Sequence, residues 1–153
     1  MSRSFLPSLT LLSKSLYAVS FAMACHLRNA ASSMSTTLAP AFWNTFASSL
    51  SSACAAMVKK IEAEHGAIDI LVNAAGITRD TTLRKMERTD WDAVMNINLD
   101  GVFNMCRQVV DGMTTRGFGR IVNLSSVNGQ MGQFGQTTYS SAKAGMHGFT
   151  MAL

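Results

Sequence analysis

Tyr139 and Lys143 stand one helical turn apart at the start of a helical pattern, and Ser126 lies upstream of them in the next apolar run. Residues i and i+4 share a helix face, so an ammonium is expected beside a phenol. A fixed positive charge within a few ångströms favours the phenolate, and a phenol so placed can give up a proton near neutrality. Tyr-x3-Lys alone is weak, because any amphipathic helix can carry it. Its weight comes from the elements around it.

Ile68 to Val72 is a short run, apolar but for Asp69, as expected of a strand buried on both faces. It closes on Asn73-Ala74-Ala75-Gly76, where Gly76 permits a turn or a close backbone approach just past the strand's carboxyl end. In open parallel sheets ligands bind at that edge. A second run, Arg120 to Leu124, ends at Ser125-Ser126 and puts Ser126 at the equivalent place. Between the two runs, Trp91, Val94, Met95, Leu99, Val102, Phe103, Cys106, Val109 and Val110 follow helical spacing. Thr89 with Asp92 three residues on reads as a capping box that opens this helix. Asn98 with Gly101 nearby lowers helix propensity in its middle and predicts a kink. Strand, helix, strand implies a parallel crossover.

In combination these residues resemble the short-chain dehydrogenase/reductases. Asn98, Ser126, Tyr139 and Lys143 match that family's Asn-Ser-Tyr-Lys set, and Asn73 to Gly76 match its Asn-Asn-Ala-Gly motif with Ala74 in place of the second Asn. Within the family, Gly76 to Asp80, Trp91 to Val94 and Ser125 to Gln130 are most similar to acetoacetyl-CoA reductases of polyhydroxybutyrate synthesis. The 3-oxoacyl-acyl-carrier-protein reductases of fatty-acid synthesis share most of these motifs. The resemblance runs from about Cys54 to Leu153.

The resemblance implies a partial Rossmann-like α/β fold with a doubly wound parallel sheet. It also implies NADPH-dependent reduction of a 3-ketoacyl thioester, with NADH left open. Tyr139 would protonate the carbonyl oxygen, Ser126 would hydrogen-bond it, Lys143 would hold the nicotinamide ribose, and Asn98 would anchor a water. Asn73, Ala74, Ala75, Gly76 and Ile77 would join Tyr139 and Lys143 around the cofactor. Asp80, Gln133, Phe134 and Gln136 would meet the thioester end of an acyl-CoA substrate. Family members assemble as homotetramers or dimers.

The first third of the chain is of a different kind. No glycine precedes Gly66, so the Gly-rich turn that brings backbone N–H groups to a dinucleotide pyrophosphate has no counterpart there. No acidic residue precedes Glu62, and Arg3, Lys14, Arg28, Lys59 and Lys60 stand unopposed. The formal net charge of +4 therefore resides in this segment. It lends no support to a nucleic-acid partner. Residues 1–53 read as an unmatched Ser/Ala-rich segment, and residues 54–153 as a core fragment of the family fold. Three origins are open for the former. It is Ser-rich like an organellar targeting peptide, and Leu16 to Ala24 ends like a secretory signal but is too short to span a bilayer. A shifted reading frame is the origin we favour, because a targeting peptide would be followed by the missing glycine turn. Leu153 falls within the helix that starts near Tyr139, so later strands are not expected.

Cys25, Cys54 and Cys106 are odd in number and widely spaced, which indicates neither a zinc site nor a disulfide framework and fits a reducing, cytoplasmic setting. His26, His65 and His147 have no ligand spacing, so no metal is expected. Arg79, Arg84, Lys85 and Arg88 cluster after the Asn-Ala-Ala-Gly turn and read first as a solvated face.

Overall fold

A computed structural model describes residues 40–153, with side chains from Leu50 onward. The expectations for residues 1–39, among them the apolar run at Leu16 to Ala24, Cys25 and His26, lie outside the described residues. Helix α1 (Pro40–His65) starts on proline, whose missing N–H is no loss in a first turn. It runs without a break through Cys54 and stops at Gly66, whose φ of 88° needs a residue without Cβ. Strand β1 (Ile70–Asn73) follows. Helix α2 (Arg88–Met95) passes through a π turn at Asn96–Asp100 into α3 (Gly101–Thr115). Strand β2 (Arg120–Asn123), the single turn α4 (Asn128–Met131) and α5 (Thr137–Ala152) complete the order.

The two strands pair in parallel, Ile70 opposite Arg120 and Asn73 opposite Asn123. Arg120 N donates to Asp69 O and Leu124 N to Asn73 O, each at 2.9 Å, which extends the ladder by one bond at either end. Arg116, at the end of α3, donates through Nη2 to Ile68 O at 2.7 Å and so ties the crossover helix to the strand that feeds it. Leu71 and Ile121 turn one face of the pair toward a core of Cys54 and Val58 from α1, Met105, Cys106, Val109 and Met113 from α3, and Met146 from α5.

Three expectations change. β1 is not buried on both faces: Leu71 and Asn73 are buried while Ile70 and Val72 are half-buried, and Val122 and Leu124 at β2 are 48% and 45% exposed. The described core lies on one face of the pair, and no described residues cover the other face to the same extent. The capping box is absent. Glu87 is the N-cap, without a side-chain cap bond, and Asp92 instead accepts from Arg88 Nε at 2.8 Å across one turn. Phe103 is 47% exposed, whereas Met105 and Met113, absent from the sequence-derived face, are buried. The π turn accounts for part of this shift, since one extra residue per turn rotates everything beyond it. The irregularity foreseen at Asn98 is this π turn.

Candidate functional site

The carboxyl ends of β1 and β2 open into a cavity of about 350 Å³ lined by Ala74, Gly76, Ile77, Tyr139 and Lys143, together with Thr78, Leu124 and Ser125. Lys143, only 4% exposed, donates through Nζ to Leu124 O at 2.7 Å. Its ammonium lies 5.8 Å from the centroid of the Tyr139 ring, within cation–π range. The one-turn spacing thus does bring the two groups together. Burial lowers the Lys143 pKa, because a low-dielectric surrounding disfavours the charged form.

Asn98 is held by the π turn. Its Nδ2 donates to Ile77 O at 2.9 Å and to Val94 O at 2.8 Å, the latter a carbonyl one turn back that a regular α-helix would give to a backbone N–H. Both amide hydrogens are consumed, and Asn98 Oδ1 is left buried with no partner. A Cβ on Gly76 would come within 2.7 Å of that oxygen and 3.8 Å of Lys143 Nζ. Gly76 is therefore required for a close approach, with Asn98 Oδ1 and Lys143 converging on its Cα.

Ser126 is not among the cavity's lining residues. Its Oγ accepts from Asn128 N at 3.2 Å. Its neighbour Ser125 does line the cavity and donates to Lys143 O at 2.9 Å, joining the end of β2 to the middle of α5. Asn73 is buried and donates through Nδ2 to Asn123 Oδ1 at 2.8 Å and to Cys106 Sγ at 3.4 Å, so it braces the two strand ends against α3. Ala75 has no cavity-lining role. Asp80, Gln133 and Gln136 lie in one hydrogen-bonded group around Asn128, and Phe134 is 91% exposed beside them. Ser125, Thr78, Leu124 and Asn128 were not singled out in the sequence. The Leu124 contribution is a carbonyl, which no side-chain motif can announce.

The site fits the nicotinamide-ribose half of a dinucleotide: a glycine without room for a side chain and an ammonium line the cavity, and a buried amide oxygen with no donor lies behind them. Among residues 40–65 no glycine offers a pyrophosphate cradle.

A parallel strand pair joined by a crossover helix, with a tyrosine and a lysine beside a cavity at its carboxyl edge, is a partial Rossmann-like α/β arrangement, in which ligands bind at that edge. The family model of the short chain dehydrogenases matches residues 18–153, and the chain belongs to that family. It is 69% identical over 99 residues to an acetoacetyl-CoA reductase of Allochromatium vinosum, covering 65% of this chain and 40% of that protein. It is 66% identical over 94 residues to an acetoacetyl-CoA reductase of Cupriavidus necator, covering 61% and 38%. A 3-oxoacyl-acyl-carrier-protein reductase of Thermotoga maritima is 52% identical over 94 residues, again 61% and 38%. The chain spans about two-fifths of the length of these curated relatives.

Proposed function

We propose that the site carries out reduction of a 3-ketoacyl thioester, acetoacetyl-CoA to 3-hydroxybutyryl-CoA, with NADPH. The observation that carries this reading is the convergence of Tyr139, Lys143 and Gly76 on one cavity at the carboxyl edge of a parallel sheet, with Asn98 Oδ1 buried behind Gly76. Bound there, the reduced nicotinamide supplies a hydride to the keto carbon. Tyr139 gives its phenolic proton to the carbonyl oxygen as negative charge builds on it. Ser126, one residue beyond the lining Ser125, would turn its hydroxyl hydrogen to the same oxygen while its own oxygen keeps accepting from Asn128 N. Lys143 spends one N–H on Leu124 O and keeps two for the ribose hydroxyls. Asn98 Oδ1, the buried acceptor without a donor, takes a hydrogen from a water that links Lys143 to solvent. Ala74, Gly76 and Ile77 contribute to the cofactor wall, with Asn73 bracing the strand end that carries them.

Preference for coenzyme A over carrier protein is supported by the acetoacetyl-CoA reductases at 69% and 66% identity against the carrier-protein reductase at 52%, whereas NADPH over NADH is what the family resemblance implies. A homotetramer or dimer and a cytoplasmic location are what the family resemblance implies. Among the described residues no helix is long and apolar enough to cross a membrane.

Residues 1–65 hold no glycine, and a pyrophosphate is gripped chiefly by backbone N–H groups in a glycine turn. We expect the 153-residue chain by itself to show no saturable NADPH fluorescence. Joined behind a relative's glycine-rich first strand and completed to a relative's length, it should reduce acetoacetyl-CoA. Tyr139→Phe in that protein should lower turnover by roughly 10² to 10⁴ while NADPH still binds. Turnover near that of the unmutated protein would remove Tyr139 as the acid.

A further inference from the structure

Asn128 opens the single-turn helix α4 and touches three parts of the site at once. Its backbone N donates to Ser126 Oγ at 3.2 Å. Its Nδ2 donates to Gln133 Oε1 at 3.0 Å and to Gln136 Oε1 at 2.6 Å, which uses both amide hydrogens. Gln136 Nε2 then donates to Asp80 Oδ2 at 2.8 Å, and Thr81 N donates to Gly135 O at 2.8 Å beside it. Two segments far apart in sequence are thereby clasped.

The polarity of this relay is fixed by its far end. A carboxylate only accepts, so Gln136 must turn its nitrogen to Asp80 and its oxygen back to Asn128. Only a donor at position 128 completes the chain. Gly132 and Gly135, with φ of 70° and 81°, bracket the clasped loop and let it fold back on α4. Phe134 stands between them at the tip, 91% exposed. Asp80 and Gln136 have thus committed polar groups to each other, and Gln133 and Gln136 theirs to Asn128, while Phe134 is free to meet a ligand.

We propose that Asn128 is the positioning residue of a polarity-specific clasp, through Asp80 and Gln136, that sets the Phe134 loop for the acyl thioester and leaves the Ser126 hydroxyl hydrogen free to donate. The proposal rests on the thioester reading above. Its substrate chemistry is a short acyl chain on a pantetheine thiol, with the apolar tip at Phe134 packing on the pantetheine side.

The experiment compares the 153-residue chain with Asn128→Asp, Asp80→Asn and the double variant Asp80→Asn/Asn128→Asp. Amide hydrogen exchange at Thr81 is read without ligand, and binding of acetoacetyl-CoA is read from the shifts of the Gly132 to Gln136 amides. Asn128→Asp puts acceptors at both ends of Gln136, so exchange at Thr81 should quicken about tenfold and affinity should fall about tenfold, the scale of one lost hydrogen bond to a charged group. The double variant reverses the relay: the carboxylate introduced at position 128 accepts from Gln136 Nε2, and Gln136 Oε1 accepts from the amide introduced at position 80. It should restore both readouts to within about threefold of the unmutated chain, because each donor again meets an acceptor. Failure of the double variant to restore either readout overturns the polarity argument. Exchange that follows the pattern while affinity stays constant overturns the positioning role. An unmutated chain that binds no acetoacetyl-CoA, with the exchange pattern intact, sinks the thioester reading and this proposal with it, and the ligand-free readout tells that result from a failed clasp.

Discussion

Lys143 combines two demands that pull against each other. In the proposed reaction it must stay charged to serve a phenol and a ribose, yet it is buried, and burial disfavours its charge. Leu124 O and the Tyr139 ring offset part of the cost. The lowered pKa has a pH signature. Between the folded value and the ordinary value of 10.5 the unfolded chain binds more protons, so stability rises with pH across that window. Below it the desolvation penalty is present in full. Lys143→Met should therefore gain stability relative to the unmodified chain at neutral pH, and the gap should shrink as pH approaches 10.5. Urea midpoints from about pH 7 to about pH 10 test this, and a gap constant across the series would sink the idea. The thiols respond to burial in the opposite sense: Cys54 and Cys106 are both pushed up, so the reactive thiolate is scarce. Alkylation with iodoacetamide at about pH 8 should modify them only after denaturant is added. Rapid labelling of either in the native chain would contradict the buried core.

At the scale of elements, two close approaches position the site. A Cβ on Gly129 would lie 2.8 Å from Lys143 C and 2.9 Å from Ala144 N, so α4 rests directly on the backbone of α5. Backbone cannot swing aside as a side-chain end does. Gly129→Ala should cost about 1–3 kcal/mol of unfolding free energy and displace Lys143, because overpacking is relieved only by backbone shifts. A urea midpoint unchanged from that of the parent would mean the two helices are not in register as described. The π turn is the second device. It aims Asn98 inward by offering Val94 O to the side chain in place of a backbone donor. Asn98→Leu removes both donated bonds and should lower stability by about 1–3 kcal/mol, since two buried carbonyls lose their donor. Thermal unfolding that matches the parent would show that the turn does not depend on the side chain.

At the scale of the molecule, the described residues bury one face of a two-stranded sheet and leave Val122, Leu124, Phe118 and Val127 about half exposed or more. Two strands with one covered face are marginal in water. We expect the 153-residue chain to bind an apolar dye and to associate as its concentration rises. Val122→Thr with Leu124→Lys should reduce both effects without altering the Leu71 and Ile121 side. Sedimentation velocity reads the association, and a monodisperse parent that ignores the dye would refute the expectation.

The strand, helix, strand order was legible because apolar runs of period one and helical spacing are local patterns, and so was the pairing of Tyr139 with Lys143, because one turn of helix is fixed geometry. The irregularity at Asn98 was legible too, from the low helix propensity of Asn and Gly. Local pattern says nothing about what a surface meets. Exposure of Phe103 and of the half-buried Ile70 and Val72 depends on which elements pack where, whereas the sequence pattern alone placed all three inside. The N-terminus of α2 failed for a related reason: Thr89 and Asp92 are a valid local signature, but Arg88 captured Asp92 first. Backbone groups are the other blind spot. Leu124 O on Lys143, Gly129 against α5, and the polarity that Asp80 imposes on Gln136 and Asn128 join residues up to 56 apart, and only the folded chain brings them within hydrogen-bond reach.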